Sequence, residues 1–246
     1  APERAIGSLD ILAPEERVTI LHAWNDTARA TVPATLPELF AEQAAQTPDA
    51  IAVVHEDVSL TYRELDQRSA HFGAWLQHRA GMKPGDRIAI MLPNVLQYPV
   101  VMYGALRVGM TVVNTNPLYT ATELEHQLRD SGAEVIVVLE NFAATVQEVL
   151  ASVPLKRVIV TKVGDLLGFP TGMFVNFMLK HVQRRIAHWD IPGAAMLTSV
   201  LAEGASLGIK PVTLGHDDIA FLQYTGGTTG VAKGAMLTHG NLVANL

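Results

Sequence analysis

The stretch Y-T-G-G-T-T-G-V-A-K-G, Tyr224 to Gly234, gathers glycines, threonine hydroxyls and one lysine directly behind an apolar run. These residue types suit phosphate. Glycine lets consecutive backbone N–H groups turn toward one anion where a Cβ would obstruct, so Gly226, Gly227 and Gly230 are candidate donors. Thr225, Thr228 and Thr229 add hydroxyls, and Lys233 adds a mobile full charge. Hydrogen bonds to charged groups are each worth about 1.5–3 kcal/mol net. Several together hold a polyphosphate and still release it as pyrophosphate after cleavage. A plain Gly/Thr surface loop is the alternative, and the motif's length and its place behind a strand weigh against it.

The spacing separates this loop from the two commonest phosphate cradles. A Walker loop needs G-x-x-x-x-G-K-[ST] running into a helix, whereas Lys233 stands three residues after Gly230 and is followed by glycine. The dinucleotide pattern G-x-G-x-x-G is absent because Gly226 and Gly227 are adjacent. Behind Lys233 the run Gly-Ala-Met-Leu is too short and apolar to start a helix, and Thr238 is the N-cap for NLVANL. The expected local order is strand, loop, strand, helix.

The elements that position this loop follow from periodicity. RIAIM (87–91), MTVVN, EVIVVL, RVIVT and DIAFLQY read as strands that are continuous apolar runs, and helix-length segments alternate with them up to RVIVT. Such strands imply a parallel sheet covered on both faces, a doubly wound α/β fold in which ligands gather at the carboxyl ends of strands. Thr225 onward lies at such an end. Thr61 to Glu64 and Thr120 to Glu123 are capping boxes, and Leu65, Phe72, Trp75 and Leu76 mark a buried helical stripe behind the first. AIAVV and VSLT flank a turn and form a hairpin; a helix begins near Pro37 and ends before Pro48. Residues 1–34 form a helical lead with Pro14 at its first turn and Val18, Ile20, Leu21 and Trp24 as its apolar side. Residues 35–246 form the main domain, with 162–215 broken by Pro and Gly into short helices and loops.

Composition narrows the function classes. With 49 % hydrophobic and 17 % charged residues in 246, the chain is that of a packed protein. A net charge of −6 and the lack of a Lys/Arg block argue against nucleic acid as a partner. No cysteine means no disulfide or thiolate zinc site, which fits a reducing compartment, and Ala1 to Asp10 lack the apolar core of a secretion signal; the expected location is the cytoplasm. Leu166 to Leu179 (LLGFPTGMFVNFML) is too short and interrupted to span a bilayer. It has two readings: an apolar face lying on the inner membrane surface with Lys180, Arg184 and Arg185 as its basic flank, or a helix packed into the core. Core packing is the expectation, as it is for Met91, Met102, Met110, Met173 and Met178. The nine histidines show no i, i+4 pair of the zinc-site kind, so no metal ligands are assigned. His239 has two readings, an approach to phosphate or a structural role at the helix start.

YTGGTTGVAKGAMLTHGN, Tyr224 to Asn241, resembles the signature phosphate loop of the adenylate-forming (AMP-binding) superfamily. Within it, residues 81–246 resemble the bacterial long-chain fatty-acid–CoA ligases through GDRIAIMLPNVLQYPV, VVNTNPLYTATELEHQLRDSGA and FLQYTGGTTGVAKGAMLTH. Gly240 departs from that pattern, which commonly has arginine there. Residues 1–70, through LAPEERVTILHAWNDTA, LPELFAEQAAQTPDAIAVV and LTYREL, resemble the start of a peptide-synthetase adenylation domain.

The resemblance implies an ATP-dependent, AMP-forming ligase that joins a long-chain fatty acid to AMP and then to CoA, with ATP, Mg²⁺ and CoA as cofactors and co-substrates. It implies that Thr225, Gly226, Gly227, Thr228, Thr229 and Gly230 hold the β- and γ-phosphates, and that Lys233, with Thr225, serves the chemical step. It also implies that the adenine, magnesium and ribose contacts and a mobile C-terminal domain belong to later sequence, so these 246 residues are expected to be an N-terminal portion of the acyl-CoA synthetase-like fold with little or no ligase activity alone. Three other readings stay open: amino-acid activation, a non-catalytic nucleotide-binding or docking module, and a phosphotransferase, which the non-Walker spacing disfavours and which would release ADP rather than AMP.

Overall fold

Apolar runs of this length and spacing can bury themselves only as the inner strands of one sheet, and the computed structural model arranges them so. It describes residues 11–27, 30–183, 186–225 and 232–246. The chain divides into two compact units, Ala1–Val32 and Pro33–Leu246.

The first unit holds helix α1 (Pro14–Leu21) and a 3₁₀ turn, Ala23–Asn25. Pro14 sits in the first turn, and Glu16 accepts from the Ala13 N–H at 2.9 Å. The expected apolar side does not become a core: Val18, Leu21 and Trp24 are exposed. Two short helical segments have too little surface to bury one against the other.

The second unit begins with α2 (Leu36–Gln46), the hairpin β1 (Ile51–His55) and β2 (Val58–Thr61), and α3 (Tyr62–His78). Strands and helices then alternate: β3 (Arg87–Met91), α4 (Gln97–Leu106), β4 (Thr111–Asn114), α5 (Ala121–Ser131), β5 (Val135–Leu139), α6 (Ala143–Val149) and β6 (Arg157–Thr161). After α7 (Thr171–Phe177), the two-residue β7 (Ala195–Met196) and α8 (Leu197–Gly204), the chain returns through β8 (Ile219–Thr225), β9 (Lys233–Thr238) and α9 (His239–Val243). The main sheet has the order β7-β6-β5-β3-β4-β8-β9, parallel throughout except for β9 against β8. It is the doubly wound, mostly parallel architecture that the apolar runs imply, with the edge strand reversed.

Side-chain parity splits the core into two layers. Ile88, Ile90, Val112, Val135, Val137, Ile159 and Phe221 face α3, α4 and α8, whereas Ala89, Val113, Ile136, Val138, Val160, Leu222 and Tyr224 face α5 and α6. Both capping boxes form. The Thr61 N–H donates to Glu64 and the Thr120 N–H to Glu123, each at 2.9 Å. Leu65, Phe72, Trp75 and Leu76 are buried as their spacing requires. Helices α3 and α4 touch backbone to backbone, because a Cβ on Gly104 would stand 2.7 Å from the Ser69 carbonyl oxygen and one on Gly73 2.8 Å from that of Gly104. Arg107, just past α4, donates to the Asp66 carboxylate at 2.6 Å and to the Asp66 carbonyl at 3.0 Å, locking the same pair of helices.

Leu166 to Leu179 departs from its expected core packing. Leu166 and Leu167 lean on the core, but Met173, Phe174 and Phe177 of α7 are exposed. The helix is anchored instead through Gly172 and Asn176, which leaves its apolar residues outward. Met173 is likewise outside the core, whereas Met91 and Met110 are buried within it. Among the described residues no helix is long and apolar enough to cross a membrane.

Because the α3–α4 contact involves a backbone oxygen that cannot step aside, Gly104→Val is expected to cost about 1–3 kcal/mol of stability. The midpoint of urea unfolding measures it, and an unchanged midpoint would contradict the close approach.

Candidate functional site

The glycine-rich segment is held at both ends by one antiparallel ladder. Thr225, the last residue of β8, pairs with Lys233, the first of β9, and Tyr224 pairs with Gly234. Directly opposed residues in a ladder point to the same face, so the Thr225 hydroxyl and the Lys233 ammonium leave the sheet on one side, both exposed. Gly226, Gly227, Thr228, Thr229 and Gly230 lie outside the described residues. What the fold fixes is their span: the chain leaves the sheet at Thr225 and re-enters it at Lys233, across a single rung.

Topology puts this rung at the expected kind of place. From β4 the chain crosses back through α5 to β5 on one side, while from β8 it turns to β9 on the other, so the connections diverge above the carboxyl ends of β4 and β8. Such divergence is where open α/β sheets take up ligands. A polar chain lines that spot. The Tyr98 hydroxyl donates to Asn114 Oδ1 at 2.8 Å, and Asn114 Nδ2 donates to Gln223 Oε1 at 2.9 Å. Gln127 Nε2 donates to the Asn114 carbonyl at 2.9 Å. Gln223 lies two residues before Thr225, hence on the same face. Burial pushes the Tyr98 phenol up, against the opposing pull of its bond to Asn114, and so keeps it a donor.

The opposite face of the rung is closed by Tyr224. Its hydroxyl donates to Asp130 Oδ2 at 2.5 Å, and its ring lies so close to Gly234 that a Cβ there would stand 2.9 Å from Cε2. Burial, and then the Asp130 carboxylate, hold the Tyr224 phenol well above its usual range, so it stays protonated as the donor. Gly234 therefore has a packing reason to be glycine, separate from any phosphate.

His239 settles as a structural residue. It is 2 % exposed, and its Nδ1 accepts from the Leu36 N–H at 3.4 Å, tying α2 to the start of α9. Its own N–H donates to the Asp218 carbonyl at 3.0 Å, and the Gly240 N–H donates to the His216 carbonyl at 2.8 Å. A Cβ on Gly240 would come 3.2 Å from that carbonyl, which accounts locally for the glycine. Thr238 caps α9 by accepting from the Asn241 N–H at 3.1 Å. Among the described residues no group of three or more His, Cys, Asp or Glu side chains is placed to hold a metal ion.

The strand–loop–strand frame can be set beside known proteins. The family model described as AMP-binding enzyme matches residues 40–246. The chain belongs to the AMP-binding enzyme family. The long-chain-fatty-acid–CoA ligase of Salmonella typhimurium is 47 % identical over 232 residues, covering 91 % of this chain and 41 % of that protein. At that coverage the likeness extends well ahead of Gly81. Bacitracin synthase 2 of Bacillus licheniformis is 28 % identical over 243 residues, 98 % of this chain and 8 % of that protein. Among solved structures, a long-chain-fatty-acid–CoA ligase from Archaeoglobus fulgidus superposes with a TM-score of 0.68 at 26 % identity, over 89 % of this chain and 39 % of its own. This AMP-binding chain spans about two-fifths of the length of these curated long-chain-fatty-acid–CoA ligase relatives.

Tyr98, Asn114, Gln127, Gln223 and the Tyr224–Asp130 pair were not singled out from sequence. One signal for them was present: Gln223 is the polar residue inside an apolar strand, in step with Thr225.

Two outcomes follow from this geometry. Gly234→Val, pressing on a ring pinned by Asp130, is expected to lower stability by about 1–3 kcal/mol in urea unfolding. Because burial lowers the His239 pKa, with Asp218 and Glu38 acting against it, the folded chain binds fewer protons than the unfolded chain. Stability is therefore lost as pH falls through the ordinary histidine value of about 6.5. Unfolding midpoints at about pH 7.5 and 5.5 test this, and His239→Asn should flatten the difference.

Proposed function

We propose that this AMP-binding enzyme chain belongs to an ATP-dependent, AMP-forming long-chain fatty-acid–CoA ligase and supplies its grip on the departing pyrophosphate. The observation that carries the substrate class is the 47 % identity to the Salmonella long-chain-fatty-acid–CoA ligase over 91 % of the chain. The rung that sets Thr225 beside Lys233 supports the phosphate role, since a hydroxyl donor and a full positive charge emerge together at the mouth of a glycine-rich loop.

In the reaction, a fatty-acid carboxylate oxygen attacks the α-phosphorus of ATP, and the bond to the bridging oxygen breaks to release pyrophosphate. The thiol of CoA then attacks the acyl carbonyl and AMP leaves with the bonding pair. Negative charge accumulates on the β-phosphate oxygen as that first bond breaks. Preorganised donors aimed there stabilise the transition state more than the ground state. Thr225, Gly226, Gly227, Thr228, Thr229 and Gly230 are the donors in this reading, and Lys233 follows the leaving pyrophosphate. Mg²⁺ would arrive on the ATP phosphates and shield their charge from the incoming carboxylate; the described residues offer it no carboxylate cluster of their own. Asn114 and Gln223 hold the strand ends in register, and Tyr224 keeps the rung from twisting.

A second reading, amino-acid activation, is favoured by one observation, the 28 % identity to bacitracin synthase 2 across 98 % of the chain. Acid-dependent ATP–pyrophosphate exchange by the full-length protein separates the two. Exchange stimulated by palmitate and indifferent to amino acids is expected, with AMP as the nucleotide product. The reverse acid preference would move the assignment to the second reading, and ADP as product would overturn both. Lys233→Met is expected to slow palmitate-dependent exchange roughly ten- to a hundredfold, the worth of one charged hydrogen bond, with little change in unfolding midpoint because the side chain is exposed.

A further inference from the structure

A buried carboxylate without a partner stands at the carboxyl end of the sheet. Glu140 follows β5 directly and opens the 3₁₀ turn Glu140–Phe142. It is 4 % exposed, yet among the described residues no hydrogen bond or ion pair reaches its carboxylate. Acidic side chains are almost never buried so deeply unless paired, because an ionised group gives up its hydration there and regains nothing. The neighbouring strand shows the ordinary outcome. Asp165, just past β6, accepts from the Lys162 N–H at 2.8 Å and from the Thr161 hydroxyl at 3.0 Å.

Glu140 lines a cavity of about 410 Å³, within the ~300–1,000 Å³ range of small-molecule sites. Neither of its oxygens is sealed off from solvent, so the little exposure that remains opens on this space. Trp189 and Ile186 form an apolar wall. Trp189 packs on the core layer that faces α5 and α6, and the next N–H, that of Asp190, donates to Gln147 Oε1 of α6 at 2.7 Å, so the indole is held from behind. The rim is basic: Lys180, His181 and His188 line the same cavity and are exposed. In the sheet β5 is three strands from β8, which sets the cavity roughly 14 Å from the Thr225–Lys233 rung.

The two ends of the cavity make opposite demands. An ionised carboxylate only accepts hydrogen bonds, and an ammonium only donates them. A phosphate or a simple carboxylic acid would satisfy Lys180 and the histidines but would leave Glu140 unpaired and facing a like charge. A bare amine would satisfy Glu140 and meet a cation at the rim. A molecule with an ammonium at one end and an anion at the other satisfies both, and its stem lies along the indole. A metal ion is a poorer fit, since among the described residues no three side chains that bind metals converge.

We propose that this cavity is a binding site for a small zwitterion of the amino-acid type, whose ammonium group pairs with Glu140 and whose anionic group is held by Lys180. The proposal is independent of the ligase reading, because the cavity lies away from the rung and needs no nucleotide.

Titration calorimetry of the chain with ω-amino acids, from glycine to 6-aminohexanoate, tests it, with butylamine and butyrate as single-ended controls. At least one amino acid is expected to bind about tenfold or more tightly than either control, the worth of one charged hydrogen bond. Glu140→Gln is expected to weaken that binding roughly ten- to a hundredfold. Because the same change removes an unpaired buried charge, it is also expected to raise the urea-unfolding midpoint of the unliganded chain. Lys180→Gln should weaken the amino acid severalfold and spare butylamine. Failure of the whole series to bind, equal binding of a single-ended control, or undiminished binding by Glu140→Gln would each overturn the proposal. So would a lowered midpoint in Glu140→Gln, which would make the carboxylate a support of the fold rather than a group kept for a ligand.

Discussion

The contact between the Tyr224 ring and Gly234 is the constraint that the glycine-rich-loop end of the molecule depends on. Tyr224 belongs at once to the core layer that faces α5 and α6, to the β8–β9 ladder and, through Asp130, to α5. Remove the close approach and the last two rungs of the ladder lose their shared anchor; Thr225 and Lys233 then have no fixed separation. A loop rich in glycine gains nothing from its freedom unless its two ends are held, since the entropy of ordering such residues is larger than for any other type. The frame supplies that order before any ligand arrives.

The layer that faces α3, α4 and α8 achieves the same end by different means. Asn114 and Gln223 are amides placed on adjacent parallel strands where apolar residues would pack equally well. Their mutual hydrogen bond, completed by Tyr98 from α4, ties β4 to β8 just where the connections diverge. Polar groups at that depth cost stability unless each is partnered, so their presence fixes register at the mouth of the crevice rather than adding to the core. With Tyr224 below and Asn114–Gln223 above, the end of β8 is clamped on both faces of the sheet.

Most of this frame was legible in the sequence because it rests on local signals. Continuous apolar runs name buried parallel strands, Thr61–Glu64 and Thr120–Glu123 name helix starts, and the short apolar run after Lys233 names a returning strand. What was not legible depends on pairs far apart in sequence. Asp130 meeting Tyr224 spans 94 positions and Asn114 meeting Gln223 spans 109, and no periodicity marks either. The reading of Leu166 to Leu179 as core failed for a physical reason of the same kind. Hydropathy reports that phenylalanines avoid water on average, but which side of a helix faces the sheet was decided by Gly164, a residue outside the helix with no side chain to announce it. His239 likewise lies next to the motif in sequence while its ring is spent on Leu36.

The departure from a Walker loop carries a chemical consequence of its own. When a glycine-rich loop runs into a helix, the helix N-terminus contributes partial positive charge and free N–H groups to the phosphate. Here the loop re-enters a strand, and α9 begins only after Thr238, whose hydroxyl caps it and whose first N–H groups are occupied by the Asp218 and His216 carbonyls. A β-strand offers almost no net dipole to take its place. On the proposed phosphate reading, the positive charge at this mouth comes from a side chain, and Lys233, on the rung where the loop closes, is the residue proposed to bring it. A cation on a flexible stem can move with its anion in a way that a helix end cannot. That suits a reaction whose phosphate leaves rather than one whose phosphate stays, and it ties the choice of strand over helix to the expected release of pyrophosphate.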